Sequence, residues 1–264
     1  MKKIQRTILC AAIFTLAQPA FAGRTCEEKP QTPESVSSAL GLAIKVKDYL
    51  DSSGAQVALV GRVGRDMSAQ GLRYSHAGIV TRDVEKGHWL ILHELNQCGS
   101  SRSDLFDEGL GNFFLDDMFA YDALIAIPSQ EVQQRLLQAA RSSAPRDFHQ
   151  PHYSLIASPF STKYQNSNQW LLEMITPSLA PDKSIKNRAD AQAWLKQTNY
   201  VPSKIKISQT KRLGSKLFAS NIYFDDHSGE EWIAQRYEAV TVESMMAFLA
   251  VQDKQLLQQV VKLK

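Results

Sequence analysis

The stretch Arg73-Tyr-Ser-His-Ala-Gly-Ile-Val80 decides the fold prediction for this chain of 264 residues. An apolar run follows His76 within this stretch, and a second run, Trp89 to Leu95, comes after the charged turn 83–87. Two such runs joined by a short turn that contains glycine predict an antiparallel hairpin. In that hairpin His76 lies at the edge of a strand, and Gly78 allows a close approach of the neighbouring backbone.

Outside the hairpin, helical and strand patterns are mixed along the chain. Helices are predicted at 37–53, 130–142, 166–174, 190–198 and 243–251, and strands at 56–63, 121–127 and 201–207, with a further strand within 232–242. No element is predicted for 104–119. Because adjacent strands are joined by short turns, this order predicts an α+β fold with an antiparallel sheet packed with helices.

The first 22 residues have the pattern of a signal peptide. A basic head precedes the apolar run from Ile8 to Ala17, and Ala20-Phe-Ala22 is a small-x-small cleavage site. We expect cleavage after Ala22, with residues 1–22 as the signal and 23–264 as one globular domain. The run is too short for a membrane span, so we expect a periplasmic or secreted product without a transmembrane anchor after signal removal.

Charge gives no indication of a nucleic-acid partner. The chain has 30 Lys and Arg and 27 Asp and Glu, and the signal holds three basic residues and no acidic one, so 27 of each remain. The basic pI of about 8.7 therefore reports mainly the signal.

Two cysteines, Cys26 and Cys98, remain after the signal. Outside the cytoplasm two cysteines usually pair, so we expect a Cys26–Cys98 disulfide. The alternative is that Cys98 is a reactive nucleophile. Neither cysteine begins an amphipathic helix, which favours the disulfide.

The segment Tyr164-Gln-Asn-Ser-Asn-Gln-Trp170 runs from polar residues into an apolar helix. A nucleophile at a helix start feels the positive end of the helix dipole, and nearby amides can hold an oxyanion. Ser167 is best placed for that role, with His76 as its base. The alternatives are an N-cap serine and a structural histidine. Glu94 is the first choice to orient His76, with His93 and Asn96 behind it, although Glu94 also fits a structural carboxylate.

These motifs resemble the permuted NlpC/P60 families, which are papain-like and place the histidine before the cysteine. The longer text, including His93-Glu-Leu-Asn96, Glu108-Gly109 and Phe224-Asp-Asp-His227, resembles the bacterial family DUF2145 over nearly the whole mature chain. The resemblance implies a papain-like fold. It puts His76 on the catalytic histidine, Glu94 on the orienting position, and Ser167 where those enzymes have cysteine.

Serine at this position requires His76 to act as a general base during attack, because serine has a far higher pKa than cysteine. We expect a hydrolase of amide or ester bonds that acts on a cell-envelope peptide, glycan or lipid-derived substrate. The alternative is a non-catalytic binding module of the envelope. Substrate-binding candidates are Tyr74, Gln165, Asn168 and His152. No cofactor or metal is expected, because Asp225-Asp-His227 fits a turn better than a metal site.

Overall fold

The fold is built on a six-stranded antiparallel sheet. The computed structural model describes residues 30–83, 87–116 and 118–264. The strands in chain order are β1 (Val57–Val63), β2 (His76–Asp83), β3 (His88–Asn96), β4 (Ser103–Gly109), β5 (Ala120–Ile127), β6 (Ser203–Lys206), β7 (Arg236–Ala239) and β8 (Leu257–Lys262). The main sheet has the order β4-β3-β2-β1-β5-β8, and β6 pairs with β7 in a separate hairpin.

Helices cover both faces of the sheet. They are α1 (Pro33–Ser53), α2 (Leu110–Leu115), α3 (Gln130–Ala140), α4 (Ala144–Asp147), α5 (Ser167–Leu179), α6 (Arg188–Gln197), α7 (Gln209–Phe218), α8 (Gly229–Ala234) and α9 (Val242–Gln252). Residues of α1 and α2 form one core with the sheet, and residues of α5, α6 and α9 form the other. The α+β prediction is confirmed.

Strand β1 shows why the central strands read as uninterrupted apolar runs. All seven of its residues are buried. Val57 and Leu59 face the α5 core, whereas Ala58 and Val60 face the α1 core. A strand covered on both faces has no polar side, so its sequence lacks the alternation of a half-exposed strand.

The predicted hairpin is present as the antiparallel pair β2 and β3, and residues 84–86 of its turn lie outside the described residues. The segment 104–119, for which no element is predicted, contains β4 and α2. Strand β4 is an edge strand with mostly exposed or half-buried side chains. Without a buried face it has no apolar alternation to detect.

Several expectations concern the N-terminus. The signal at 1–22 and Cys26 lie outside the described residues, so cleavage and the Cys26–Cys98 disulfide stay predictions. Within the described ranges, none of the helices combines the length and the apolar character that crossing a membrane requires.

Candidate active site

His76 is the first residue of β2 and lies opposite Arg62 of β1. The buried Arg62 guanidinium donates a hydrogen bond to the Phe113 carbonyl and forms an ion pair with Asp116. The Phe113 ring packs against the His76 ring, with 5.8 Å between their centroids. One side of the histidine is thus held by an apolar surface that the ion pair fixes in place.

Ser167 is the first residue of α5, and its hydroxyl is not used for capping. The N-cap is Asn166, whose side chain accepts a hydrogen bond from the Gln169 N–H at 2.8 Å. The Ser167 hydroxyl instead lies 3.1 Å from Nδ1 of His76. The structure therefore brings together the predicted nucleophile and base, and assigns the capping role to the neighbouring residue.

The far nitrogen of His76 continues a chain of hydrogen bonds. Its Nε2 lies 2.8 Å from Nδ1 of His93, and Nε2 of His93 lies 3.1 Å from the Glu108 carboxylate. One proton assignment satisfies all three contacts. His93 Nε2–H donates to Glu108, His76 Nε2–H donates to His93, and the Ser167 hydroxyl donates to His76 Nδ1. His76 is then neutral, with its lone pair directed at the serine.

Burial keeps His93 in the neutral form that this assignment needs. Loss of hydration lowers the pKa of His93, and the nearby Arg62 charge also lowers it, whereas the hydrogen bond to Glu108 raises it. The His93 ring is completely buried and meets the Phe113 ring edge-on at 5.3 Å. A neutral His93 can accept the hydrogen bond from His76 Nε2–H while its own Nε2–H donates to the Glu108 carboxylate.

Gly78 brings the two histidines together. A Cβ atom at Gly78 would lie 2.8 Å from the Leu92 carbonyl oxygen, 2.8 Å from the Ile91 side chain and 2.9 Å from the His93 Cβ. Such distances leave no room for any side chain. Strand β3 can therefore approach β2 closely at the level of His93, as the sequence suggested for this glycine.

Glu94, predicted to orient His76, forms no hydrogen bond with it. Successive side chains of a strand point to opposite faces, so His93 and Glu94 cannot both face the histidine. Ile91 packs in the α1 core, whereas Leu92 packs against the α5 core. By the same alternation, the His93 side chain points to the α1 side of the sheet and the Glu94 side chain to the α5 side. The residue that hydrogen-bonds the far nitrogen of His76 is therefore His93, a second choice from the sequence.

Two predicted substrate-binding residues have structural hydrogen bonds. The Gln165 amide group donates to the Phe148 carbonyl at 2.9 Å and to Glu173 at 2.7 Å, so it is not available to an oxyanion. Asn168 donates to the Ser75 carbonyl at 3.3 Å and fastens the start of α5 to the residue before His76.

The other two predicted residues make contacts with other parts of the fold. Tyr74 is buried in the α5 core, and its backbone N–H donates to Glu243 at 2.8 Å. His152 is exposed, and its ring packs edge-on against Tyr164 and Tyr223 at 4.7 and 5.5 Å. A part in substrate binding stays a prediction for both residues.

The backbone segment that leads to Ser167 is held by a cluster of buried hydrogen bonds around Glu173. The Arg188 guanidinium lies 2.6 Å from the Glu173 carboxylate and also donates to the carbonyls of Thr162 and Tyr164. Gln192 donates to the same carboxylate at 2.6 Å. These bonds fix the backbone that leads into α5, so they set the position of its first residue.

Tyr153 is a site residue that sequence reasoning missed. Its backbone forms a parallel bridge with Gln165, two residues before Ser167. Burial and the charge of Glu94 raise the pKa of the Tyr153 hydroxyl, and the neighbouring Ser167 hydroxyl opposes that rise. A neutral tyrosine beside the serine is a hydrogen-bond donor in the right place. No motif marks it, because it lies in a loop brought there by tertiary structure.

Donors for a developing negative charge converge on the start of α5. The first N–H groups of a helix have no acceptor within it, which leaves those of Ser167 and Asn168 available. The helix dipole adds partial positive charge there. Together with the Tyr153 hydroxyl, these groups can stabilise an oxyanion formed on a substrate of Ser167.

Within the described ranges no group of three or more His, Cys, Asp and Glu side chains is arranged to hold a metal ion. The segment Asp225-Asp-His227 forms a turn, and its side chains are engaged mainly with residues far away in the chain. His227 contacts the Ile156 carbonyl and Glu231, and Asp226 accepts from the Ser158 N–H.

Fold and site together define an α+β protein with a serine–histidine–histidine–glutamate hydrogen-bond chain at a helix start. Residues 49–249 match the model of the DUF2145 family, described as an uncharacterized protein conserved in bacteria. The chain belongs to this family. No curated protein and no solved structure matches the chain.

Proposed function

We propose that this protein is an exported hydrolase of amide or ester bonds with a papain-like fold of the permuted NlpC/P60 type, in which Ser167 is the nucleophile. The observation that carries the proposal is the continuous hydrogen-bond chain from Ser167 through His76 and His93 to Glu108. The antiparallel sheet and the order of histidine before nucleophile support the papain-like assignment.

The chain gives each residue one task. Ser167 attacks the substrate carbonyl carbon while its proton moves to Nδ1 of His76. His93 accepts from the resulting imidazolium and holds its orientation, and Glu108 holds His93. His76 then gives the proton to the leaving amine or alcohol. Water attacks the acyl-serine ester in the reverse sequence, which releases the acid and restores Ser167.

Serine in place of cysteine makes the base essential. A cysteine can ionise beside an imidazolium, but serine cannot, so attack and proton transfer must coincide. The 3.1 Å contact between Ser167 and His76 supports this mode, because a general base must lie within hydrogen-bond reach of the proton that it removes.

The substrate class follows from the predicted export. Residues 1–22 have the pattern of a signal peptide, so we propose a periplasmic or secreted location. The substrates available there are cell-envelope peptides, glycans with amide or ester substituents, and lipid-derived acyl groups. Protein groups other than Ser167 and His76 determine which of these substrates is bound.

A fluorophosphonate probe tests the nucleophile directly, because it forms a covalent bond only with an activated serine. We expect intact-mass labelling of the wild type at one site, lost in Ser167→Ala and slowed at least about hundredfold in His76→Gln. Ser178→Ala is the matched control, since Ser178 is a buried serine in the same helix. Its labelling rate should equal that of the wild type.

The second candidate is a non-catalytic binding module of the cell envelope. The serine in the cysteine position favours it, as does the limited access, because Ser167 is 7% and His76 8% exposed. Absence of fluorophosphonate labelling in the wild type, together with iodoacetamide labelling of Ser167→Cys, would overturn the hydrolase proposal in favour of this module.

A further inference from the structure

Strand β3 presents two consecutive polar residues to opposite faces of the sheet. His93 joins the chain that ends at Ser167, whereas Glu94 faces the α5 side. The Glu94 side chain is completely buried, and neither of its carboxyl oxygens has a hydrogen-bond partner in the part of the chain that the structure describes. An ionised carboxylate without hydrogen-bond partners is very unfavourable in the protein interior, so burial favours the neutral form of Glu94.

The groups around Glu94 compensate a negative charge only in part. The Ser103 hydroxyl of β4 lowers the pKa of Glu94, and it also contacts Nε2 of His149 at 3.1 Å. Arg188 of α6 lowers this pKa as well, but its guanidinium is already paired with Glu173 of α5. Glu173 itself adds a like charge. Burial is the main reason that the pKa of Glu94 rises to about 8.

Tyr153 connects this carboxyl group to the reacting serine. Its backbone is held between Ser101 and Gln165, its hydroxyl neighbours that of Ser167, and a Glu94 charge raises the pKa of the Tyr153 hydroxyl. The exposed Arg65 is the further charged group that acts on Tyr153. Two arms therefore converge on Ser167, one through His93 and the other through Tyr153, and they begin at adjacent residues of one strand.

We propose that Glu94 is a positioning residue that acts through Tyr153: as a neutral acid it supports the donor beside Ser167, and as a carboxylate it switches the site off. A negative charge behind Tyr153 opposes the oxyanion that Ser167 chemistry creates, and in a dry interior that opposition is strong. This inference rests on the proposed function of Ser167.

The test is the pH dependence of fluorophosphonate labelling in the wild type, Glu94→Gln and Glu94→Leu. We expect the wild-type rate to fall above about pH 8, by about tenfold for each further pH unit. Glu94→Gln should keep the wild-type rate at about pH 7 within about threefold and show no alkaline fall, because an amide cannot ionise. Glu94→Leu should label more slowly but should also show no alkaline fall in rate. It serves as the test if Glu94→Gln does not fold.

Glu131→Gln makes the same chemical change on an exposed glutamate and should reproduce the wild-type profile. In a Tyr153→Phe background, Glu94→Gln should have no further effect on the profile. An alkaline fall of unchanged midpoint in Glu94→Gln or Glu94→Leu overturns the inference while leaving the hydrolase proposal intact. A wild type that does not label at any pH overturns both.

Discussion

Glu94 and Glu173 are both completely buried on the α5 side of the sheet, yet their surroundings are opposite. Glu173 has an arginine and three glutamines around its carboxylate, contributed by Arg188, Gln165, Gln169 and Gln192. Among the described residues, neither oxygen of Glu94 has a hydrogen-bond partner. A buried charge that serves the fold is paired, whereas the unpaired carboxyl group acts on the pKa of Tyr153, a neighbour of the candidate nucleophile.

Removing Arg188, the charged partner of Glu173, should cause the largest loss of stability. Arg188→Met leaves a charged carboxylate buried without its cation, and we expect it to lower the free energy of unfolding by about 3–5 kcal/mol. Urea unfolding measures this loss. Lys163→Met, which breaks the exposed pair with Asp225, is the control and should cost about 1 kcal/mol or less. Equal losses in the two variants would contradict the role of the cluster.

The second prediction concerns the pH dependence of stability, which should distinguish the unpaired Glu94 from the paired Glu173. The pKa of Glu94 is about 8 in the folded protein against 4.5 for an ordinary glutamate, so the folded state holds a proton that the unfolded state releases. Stability from this group is present below about pH 4.5 and declines by roughly 1.4 kcal/mol per pH unit up to about pH 8. Glu94→Gln should lack that decline in urea unfolding at pH values across this window.

The third prediction concerns Gly78, whose lack of a side chain lets β3 lie close to β2. Gly78→Ala inserts a Cβ 2.8 Å from backbone and side-chain atoms of β3, and we expect a loss of about 1–3 kcal/mol together with slower Ser167 labelling. Gly109→Ala is the matched control, since a Cβ there meets nothing within 4 Å. An unchanged labelling rate in a folded Gly78→Ala would show that the spacing of the histidines is not critical.

Sequence reasoning found residues whose role follows from local chemistry. His76 begins a strand and Ser167 begins a helix, and both positions can be read from apolar runs and their polar starts. It chose Glu94 over His93, because a carboxylate is the better orienter by chemistry alone. The choice between two adjacent strand residues depends on the register, and a shift of one residue exchanges the faces.

Glu108 and Tyr153 could not be found in the same way. Glu108 lies on an edge strand, where an acidic residue is also expected for solubility, so its identity carries no signal of function. Tyr153 lies in the irregular segment between α4 and α5. Its place beside Ser167 depends on a bridge to Gln165 that no local pattern predicts.

By itself the sequence determined the α+β class, the hairpin and the two residues at element starts, because apolar periodicity and cap chemistry are local properties. Tertiary structure alone decided which face each β3 residue takes, which buried glutamate is paired, and which loop tyrosine meets the serine. Those outcomes depend on strand register and on contacts between residues far apart in the chain, and such contacts exist only once the sheet and α5 have packed.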